Sequence, residues 1–377
     1  MPAAALPAGS PADGLGEGVV DVAVIGAGLA GGLQALALAE RGLAVALIAP
    51  EPPAIPFPGE GLGQDPVQGQ GGWSSATAWS YGGVGGASLA PWRAMEQRHG
   101  DLGLASRPLR LHGSLLGWLG GSRNPGDFAQ VDLGRLAAAL TELLERFSVR
   151  RIQAQVVGPP RPQPQAASWQ VAFEAPGQGI QALEARQVVL AAGAGCRALW
   201  PGLSERLRIS WAGVLQLRAW PDPGQCRSRW LRQARAGAMV LPRRFRRIDL
   251  ERRAPMLEHP AWVVDPGLVP WAGGALLGQI SLVRPGLDLG EPPEAPWMEE
   301  QLRSGLAQFD AALAKLPGRY RQVPVSFCWD GRPLVGPVAQ APGLWVLAGF
   351  SGAFFQVPQA AAEQADAIAA ALRAPLG

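Results

Sequence analysis

Residues 19–49 read VVDVAVIGAGLAGGLQALALAERGLAVALIA, and this stretch decides the fold. Val22, Val24 and Ile25 form a short apolar run of the kind found in strands buried on both faces. Gly26, Gly28 and Gly31 follow in the spacing G-x-G-x-x-G. Leu29 to Arg41 is rich in Ala and Leu, both strong helix formers. Gly42 is a natural helix stop, and Leu43 to Ala49 is a second apolar strand. Strand, glycine turn, helix and strand within about 30 residues make one βαβ unit.

That context predicts a dinucleotide site. Gly26 makes the tight turn, Gly28 lets a pyrophosphate approach the backbone, and Gly31 lets the helix pack against the sheet. The backbone from Gly26 through Ala27, Gly28, Leu29 and Ala30 to Gly31 would hold the phosphates at a helix N-terminus, where N–H groups and a partial positive charge are available. The acid that binds an adenosine ribose ordinarily ends the second strand, about 20 residues past the glycines. Ala49 stands there, and the nearest acid is Glu51, which either reaches the ribose by a local shift or is a solvated loop charge. No Arg follows the strand to take a 2′-phosphate, which disfavours NADP.

The chain has 377 residues, enough for two domains, and a formal charge of only +3, which does not describe a nucleic-acid groove. Cys196, Cys226 and Cys328 are far apart, as are His99, His112 and His259, so no metal-ligand spacing exists; the cysteine usage suits a reducing compartment and a cytoplasmic protein. The histidines are expected on surfaces or in loops. No stretch of about 18 apolar residues reads as a membrane span. Met1 to Gly18 is rich in Pro, Ala and Gly and carries no Lys or Arg, so it reads as a disordered tail and not a signal peptide.

Glu51 to Gly72 reads as a long loop, and Gly69 to Gly86 (GQGGWSSATAWSYGGVGG) either wraps a polar ligand with Ser74, Ser75 and Thr77 or is a flexible loop. Trp92 to Leu119 has no clear pattern. Asp132 can cap a helix with Leu136, Leu140, Leu143 and Leu144 on its apolar face. Ile152–Val157 reads as a strand, and Trp169–Phe173 pairs antiparallel with Gly179–Glu184. Gln187 to Gly195 (QVVLAAGAG) is a second buried strand ending in small residues, which permit close backbone approach. Ile209 to Val283 reads as an antiparallel sheet inserted between pieces of the first domain, and Pro296 to Leu316 as an amphipathic helix. Near the end, LWVL at Leu344–Leu347, a small-residue turn at Gly349–Ala353 and a long helix repeat the opening geometry.

The glycine turn at Gly26–Gly31, LAAGAG at Leu190–Gly195, and DGRPLVGP with WVLAGFSG near the C-terminus together resemble the FAD-dependent D-amino-acid, glycine and sarcosine oxidase family. The resemblance implies an α/β fold, with a Rossmann-type FAD-binding domain (residues 19–90, 130–208 and 325–377) and an inserted antiparallel substrate domain (91–129 and 209–324). It implies that Gly26, Gly28 and Gly31 hold the FAD pyrophosphate and that Ser74 and Ser75 follow the ribityl chain and flavin. By the same resemblance Val157 meets the adenine through its backbone and Gly193 lines the cofactor. Gly349, Ser351 and Gly352 place the last helix at the flavin pyrimidine edge, where its dipole stabilises negative charge. Gln356 falls where sarcosine oxidases carry a Lys above the ring.

Departures are also visible. The family's carboxylate-binding Arg precedes the DG-x-P motif, but here that stretch reads VPVSFCWDG and has none. Arg332 lies inside the motif at a position the family varies. Only Tyr81 and Tyr320 are available for a tyrosine lid. Arg243, Arg244, Arg246 and Arg247, with Phe245 among them, read as a solvated strand face, with a substitute carboxylate clamp as the alternative. Cys328 reads as a buried free thiol in preference to a covalent flavin attachment. Trp73, Trp79 and Trp329 are candidates for the edge of a flavin pocket. Gln356, Arg332 and Trp329 are the candidate catalytic residues.

The expected function is FAD-dependent oxidation of a C–N bond in a small amine or amino acid, with the electron acceptor left open and no nucleic-acid or integral-membrane partner. The alternative is a flavin-binding protein of the same fold with lost or altered amine chemistry. An NAD-dependent dehydrogenase is a third option, which the AGFSG segment argues against.

Overall fold

The structure is a computed structural model that describes residues 19–50, 80–112, 128–222, 224 and 226–374. The expectations for Met1–Gly18, Glu51, Trp73, Ser74, Ser75, Thr77 and Trp79 fall outside the described residues.

The chain opens with β1 (Val19–Ile25), α1 (Leu29–Ala39) and β2 (Val45–Ala49), as the glycine pattern requires. Helix α2 (Leu89–His99) occupies part of the stretch whose pattern is unclear; Trp92 and Met95 face the core while its other side is charged. Helix α3 (Leu133–Arg146) starts at Asp132, whose carboxylate accepts the Arg135 N–H at 3.0 Å. Strands β3 (Arg150–Gln153), β4 (Ser168–Ala175) and β5 (Gln178–Leu190) follow, then β6 (Leu207–Leu217) and β7 (Met239–Pro242). Helix α4 (Arg246–Arg253) precedes β8 (Ala261–Val264), β9 (Leu268–Trp271) and β10 (Gly274–Val283). Helix α5 (Ala295–Phe309), β11 (Arg319–Cys328), β12 (Leu334–Pro337), β13 (Leu344–Ala348) and α6 (Ala353–Arg373) complete the chain.

The first sheet runs β12–β13–β5–β1–β2–β3, with β4 and two short strands added beside β5. Strand β1 pairs parallel with both β5 and β2, and β5 pairs parallel with β13. Val22 and Val24 enter the core beneath α1 and α6, while Ala23 and Ile25 enter the core on the opposite face. Strand β1 is thus buried on both sides, as its unbroken apolar run predicts. The second sheet runs β11–β6–β10–β9–β7 and ends on the short strand Leu109–His112; β8 joins the edge of β10. Leu302 and Leu306 of α5 cover one of its faces with Leu215, Leu277 and Ile280. A third, three-stranded sheet joins residues 83–85, 128–131 and 104–106.

Four readings change. The two segments Gly179–Glu184 and Gln187–Leu190 form one strand, β5. Its exposed first half pairs with β4 and its buried second half with β1, so one strand carries two hydropathy patterns. The basic run is not a strand face: Arg246 and Arg247 begin α4, because the carboxylate of Asp265 accepts both of their backbone N–H groups, at 2.6 and 3.0 Å. The helix expected over Pro296–Leu316 breaks at Asp310, which is extended. Its carboxylate accepts from Ala312 N at 3.0 Å and Ser228 Oγ at 2.6 Å, a local bond that competes with helix. His99 is not a surface residue: its ring is packed at 3 % exposure with Nε2 2.8 Å from Glu40 Oε1.

Candidate functional site

Strands β1, β5 and β13 run parallel, so their C-terminal ends share one edge of the sheet. The turns leaving them meet there. Gly26 has φ +97°, and a Cβ on it would come 2.6 Å from the carbonyl oxygen of Ala191, whose N–H bonds Ile25 O at 2.8 Å. A Cβ on Gly31 would lie 1.6 Å from the Gly26 carbonyl oxygen. Both glycines are therefore fixed by backbone packing before any ligand is considered. Gly193 follows β5 with φ +55° and open space beside it. Helix α1 begins immediately after the turn, with Gly28 as its N-cap. No side chain caps it and no acid sits in its first turn.

The second turn, Gly349–Gly352, follows β13 and opens α6, which packs alongside α1. Its helix N-terminus also lacks a side-chain cap and an acid in the first turn. The contacts that hold this turn come from far along the chain. Gly349 has φ +81°, and a Cβ there would lie 2.5 Å from Cys328 Sγ. The Cys328 N–H donates to Gly349 O at 3.0 Å, and Arg247 Nη2 donates to Ser351 O at 2.7 Å. In the first turn of α6, Phe355 is 42 % exposed and Gln356 carries a buried Oε1 with no hydrogen-bond partner.

Arg247 links this turn to the second sheet. Its Nη1 contacts Glu251 Oε1 at 3.1 Å one helical turn on, and its Nε is buried without a hydrogen bond. Desolvation raises the Glu251 pKa despite the adjacent guanidinium, and the Ser351 side chain lies beside its carboxylate. Burial likewise raises the pKa of Asp265, against the two N–H groups that it accepts. Tyr81 is partly buried with its ring against Gly267 and its hydroxyl buried and unpartnered. Desolvation, then the charge of Asp265, keep it well above the usual phenol range. Tyr81, Asp265, Arg247, Glu251 and Ser351 form one polar cluster, buried at Asp265 and Glu251, between the second sheet and the glycine turn. Asp265 and Glu251 carry no sequence signal of their own, and Tyr81 stands out only as one of two tyrosines. Arg247 lay in a visible run, but only the start of α4 shows which of the four arginines turns inward.

Arg332 is exposed on a turn, where its backbone bonds Asp330 and Arg206. Trp329 packs against Leu250, Ala254, Val283 and Phe327. Val157 is 41 % exposed and its N–H is already given to Ala172 O, which leaves its carbonyl. Cys328 is buried, and burial pushes its thiol up to about 11, so it is a neutral core thiol. Tyr320 lies over Gly213 within the core beneath α5. Among the described residues no group of His, Cys, Asp and Glu could hold a metal ion, and no helix is long and apolar enough to cross a membrane.

Two uncapped helix N-termini at one sheet edge, a buried unpartnered amide oxygen on Gln356 and a positive-φ Gly193 suit an elongated ligand with phosphates near one end. FAD meets that description. No curated protein sequence matches the chain. Solved structures match its fold. A glycine oxidase from Geobacillus kaustophilus is 19 % identical, with a TM-score of 0.61 over 93 % of this chain and 95 % of that one. An L-proline dehydrogenase from P. horikoshii is 16 % identical, with a TM-score of 0.58 over 93 % of each chain. An L-amino acid deaminase from Proteus vulgaris is 14 % identical, with a TM-score of 0.58 over 96 % of each. The FAD binding domain model matches residues 21–57, across the first glycine turn. The FAD dependent oxidoreductase model matches residues 70–365, most of the chain, and the protein belongs to that family.

Proposed function

We propose that this FAD-dependent oxidoreductase oxidises the C–N bond of a small amine or amino acid. The observation that supports it most is the meeting of the second glycine turn, which shares a sheet edge with the first, with the cluster of Arg247, Tyr81 and Glu251. Bound FAD supplies the hydride acceptor, at flavin N5. The chain supplies position and exclusion of water. Gly26–Gly31 and Gly193 would hold the cofactor's phosphate half, with Gly349, Ser351, Gly352 and Gln356 at the ring. Arg247 Nε and the Tyr81 hydroxyl, both buried and unpartnered, offer donors to a substrate carboxylate. The substrate loses hydride from the carbon beside nitrogen and a proton from nitrogen, leaving an imine that water hydrolyses. In this reading residues 19–90, 130–208 and 325–377 bind FAD and residues 91–129 and 209–324 face the substrate, with Trp92 and Met95 docking into the core of the former.

Absorbance spectra of purified protein, before and after acid precipitation, test the cofactor and any covalent bond together. Anaerobic addition of glycine, sarcosine, proline and D-amino acids then tests the chemistry. Flavin bleaching by one of them is the expected result. A yellow protein that none of them bleaches would indicate altered amine chemistry, and a colourless protein that takes up no FAD would defeat the proposal.

A further inference from the structure

We infer that a cavity of about 680 Å³ is a binding site for a small organic carboxylate, with Arg107 as its anion ligand. The cavity lies between the start of α3 and the far end of the second sheet, where the hairpin joining β9 to β10 turns back. Among the described residues three arginines line it. Arg135 pairs with Asp101, and Arg235 Nη1 donates to Pro221 O at 3.2 Å. Arg107 differs: its Nε is buried with no hydrogen-bond partner, and no carboxylate among the described residues pairs with it. Among the described residues, the one carboxylate on the cavity wall, Asp132, is engaged as the cap of α3.

A partly buried guanidinium without an acceptor is costly, and a carboxylate offers two oxygens in the geometry of its planar fork. The remaining wall favours an organic body over a bare inorganic ion. Trp220, Trp271 and Pro270 supply apolar surface, and the volume falls in the usual range for small-molecule sites. The wall is also rigid. Gln130 Nε2 ties Pro270 O at 2.8 Å to Tyr81 O at 3.2 Å, and the hairpin tip holds Ala272 at φ +42° before Gly273 at +80°. Both values are those of the two-residue turn that matches the twist of the paired strands. The proposal does not depend on the flavin chemistry.

Flavin-loaded protein is titrated by calorimetry with indole-3-acetate and with its neutral amide, indole-3-acetamide, while flavin absorbance is recorded. The acid should bind at least about 10-fold tighter than the amide, a difference set by one charge-assisted pair, and leave the flavin spectrum unchanged. Arg107→Gln should remove that preference, and Arg107→Lys should keep part of it. Ala138→Trp, on the exposed face of α3 at the cavity wall, should block both probes without touching Arg107. Ala138→Trp decides the matter should Arg107→Gln fail to fold. Equal affinity for acid and amide, no binding at about 1 mM, or binding that shifts the flavin spectrum would each overturn the assignment. So would binding that survives Ala138→Trp.

Discussion

Gly31 and Gly349 stand at the same edge of the parallel sheet, and each is fenced by an atom that a Cβ would strike. For Gly31 that atom is the backbone carbonyl of Gly26, a near neighbour in sequence, at 1.6 Å. For Gly349 it is the thiol of Cys328 at 2.5 Å, reached from another strand. The first turn is closed by backbone alone, its own at Gly31 and that of Ala191 at Gly26. The second is closed by side chains from elsewhere: Cys328 beneath it, Ser326 Oγ accepting the Gly349 N–H at 3.4 Å, and Arg247 on the Ser351 carbonyl. A turn of the first kind tolerates no compensation, whereas a turn of the second kind can be loosened and repaired at a distance.

The largest expected effect follows from this contrast. Gly31→Ala should cost about 3 kcal/mol or more, because the blocking atom is backbone and cannot rotate away. Thermal unfolding and the flavin-to-protein ratio of the purified variant would show it, and wild-type values for both would break the contrast. Next comes Arg247→Met, which leaves Glu251 buried without its cation and frees Ser351; a loss of about 3 kcal/mol by urea unfolding is expected. An effect below about 1 kcal/mol would reduce the clamp to a surface ion pair.

Gly349→Ala should cost about 2 kcal/mol, part from positive φ and part from the thiol. In a Cys328→Ala background part of that cost should disappear, a coupling that a double-mutant cycle reads directly. Strict additivity would show that the thiol does not fence the turn.

Glu251 gives a smaller, pH-dependent signature. Its pKa is raised in the folded protein, so the native state binds more protons than the unfolded chain between the unfolded and folded values. The contribution of Glu251 to stability therefore falls as pH rises through that window. Glu251→Gln should flatten the slope of Tm against pH just above the ordinary carboxylate range, and an unchanged slope would contradict the burial argument. The smallest effect is expected of Arg332→Ala, an exposed turn residue. Stability should move by no more than about 0.5 kcal/mol and KM for any substrate should stay put.

Much of the fold was legible because hydropathy and glycine spacing are local signals. The βαβ unit, the Asp132 cap, the LAAGAG strand end and the final strand and helix all stand in the structure. The failures also have local causes. Strand β5 carries two pairings and so two hydropathy patterns, and α5 is cut by one Asp that bonds the wrong neighbours for a helix. The candidate site was half legible. The glycines announced themselves, but Arg247 was indistinguishable from Arg243, Arg244 and Arg246 until Asp265, fixed by β10 through the Gln279 carbonyl, set where α4 begins.

The sequence by itself determined that two glycine turns exist and that each follows a buried strand, because those demands are written in residues a few positions apart. Only the tertiary structure decided which side chains close the second turn and which arginine of four faces inward. Those outcomes depend on contacts between strands far apart in the chain, and no periodicity or spacing records them.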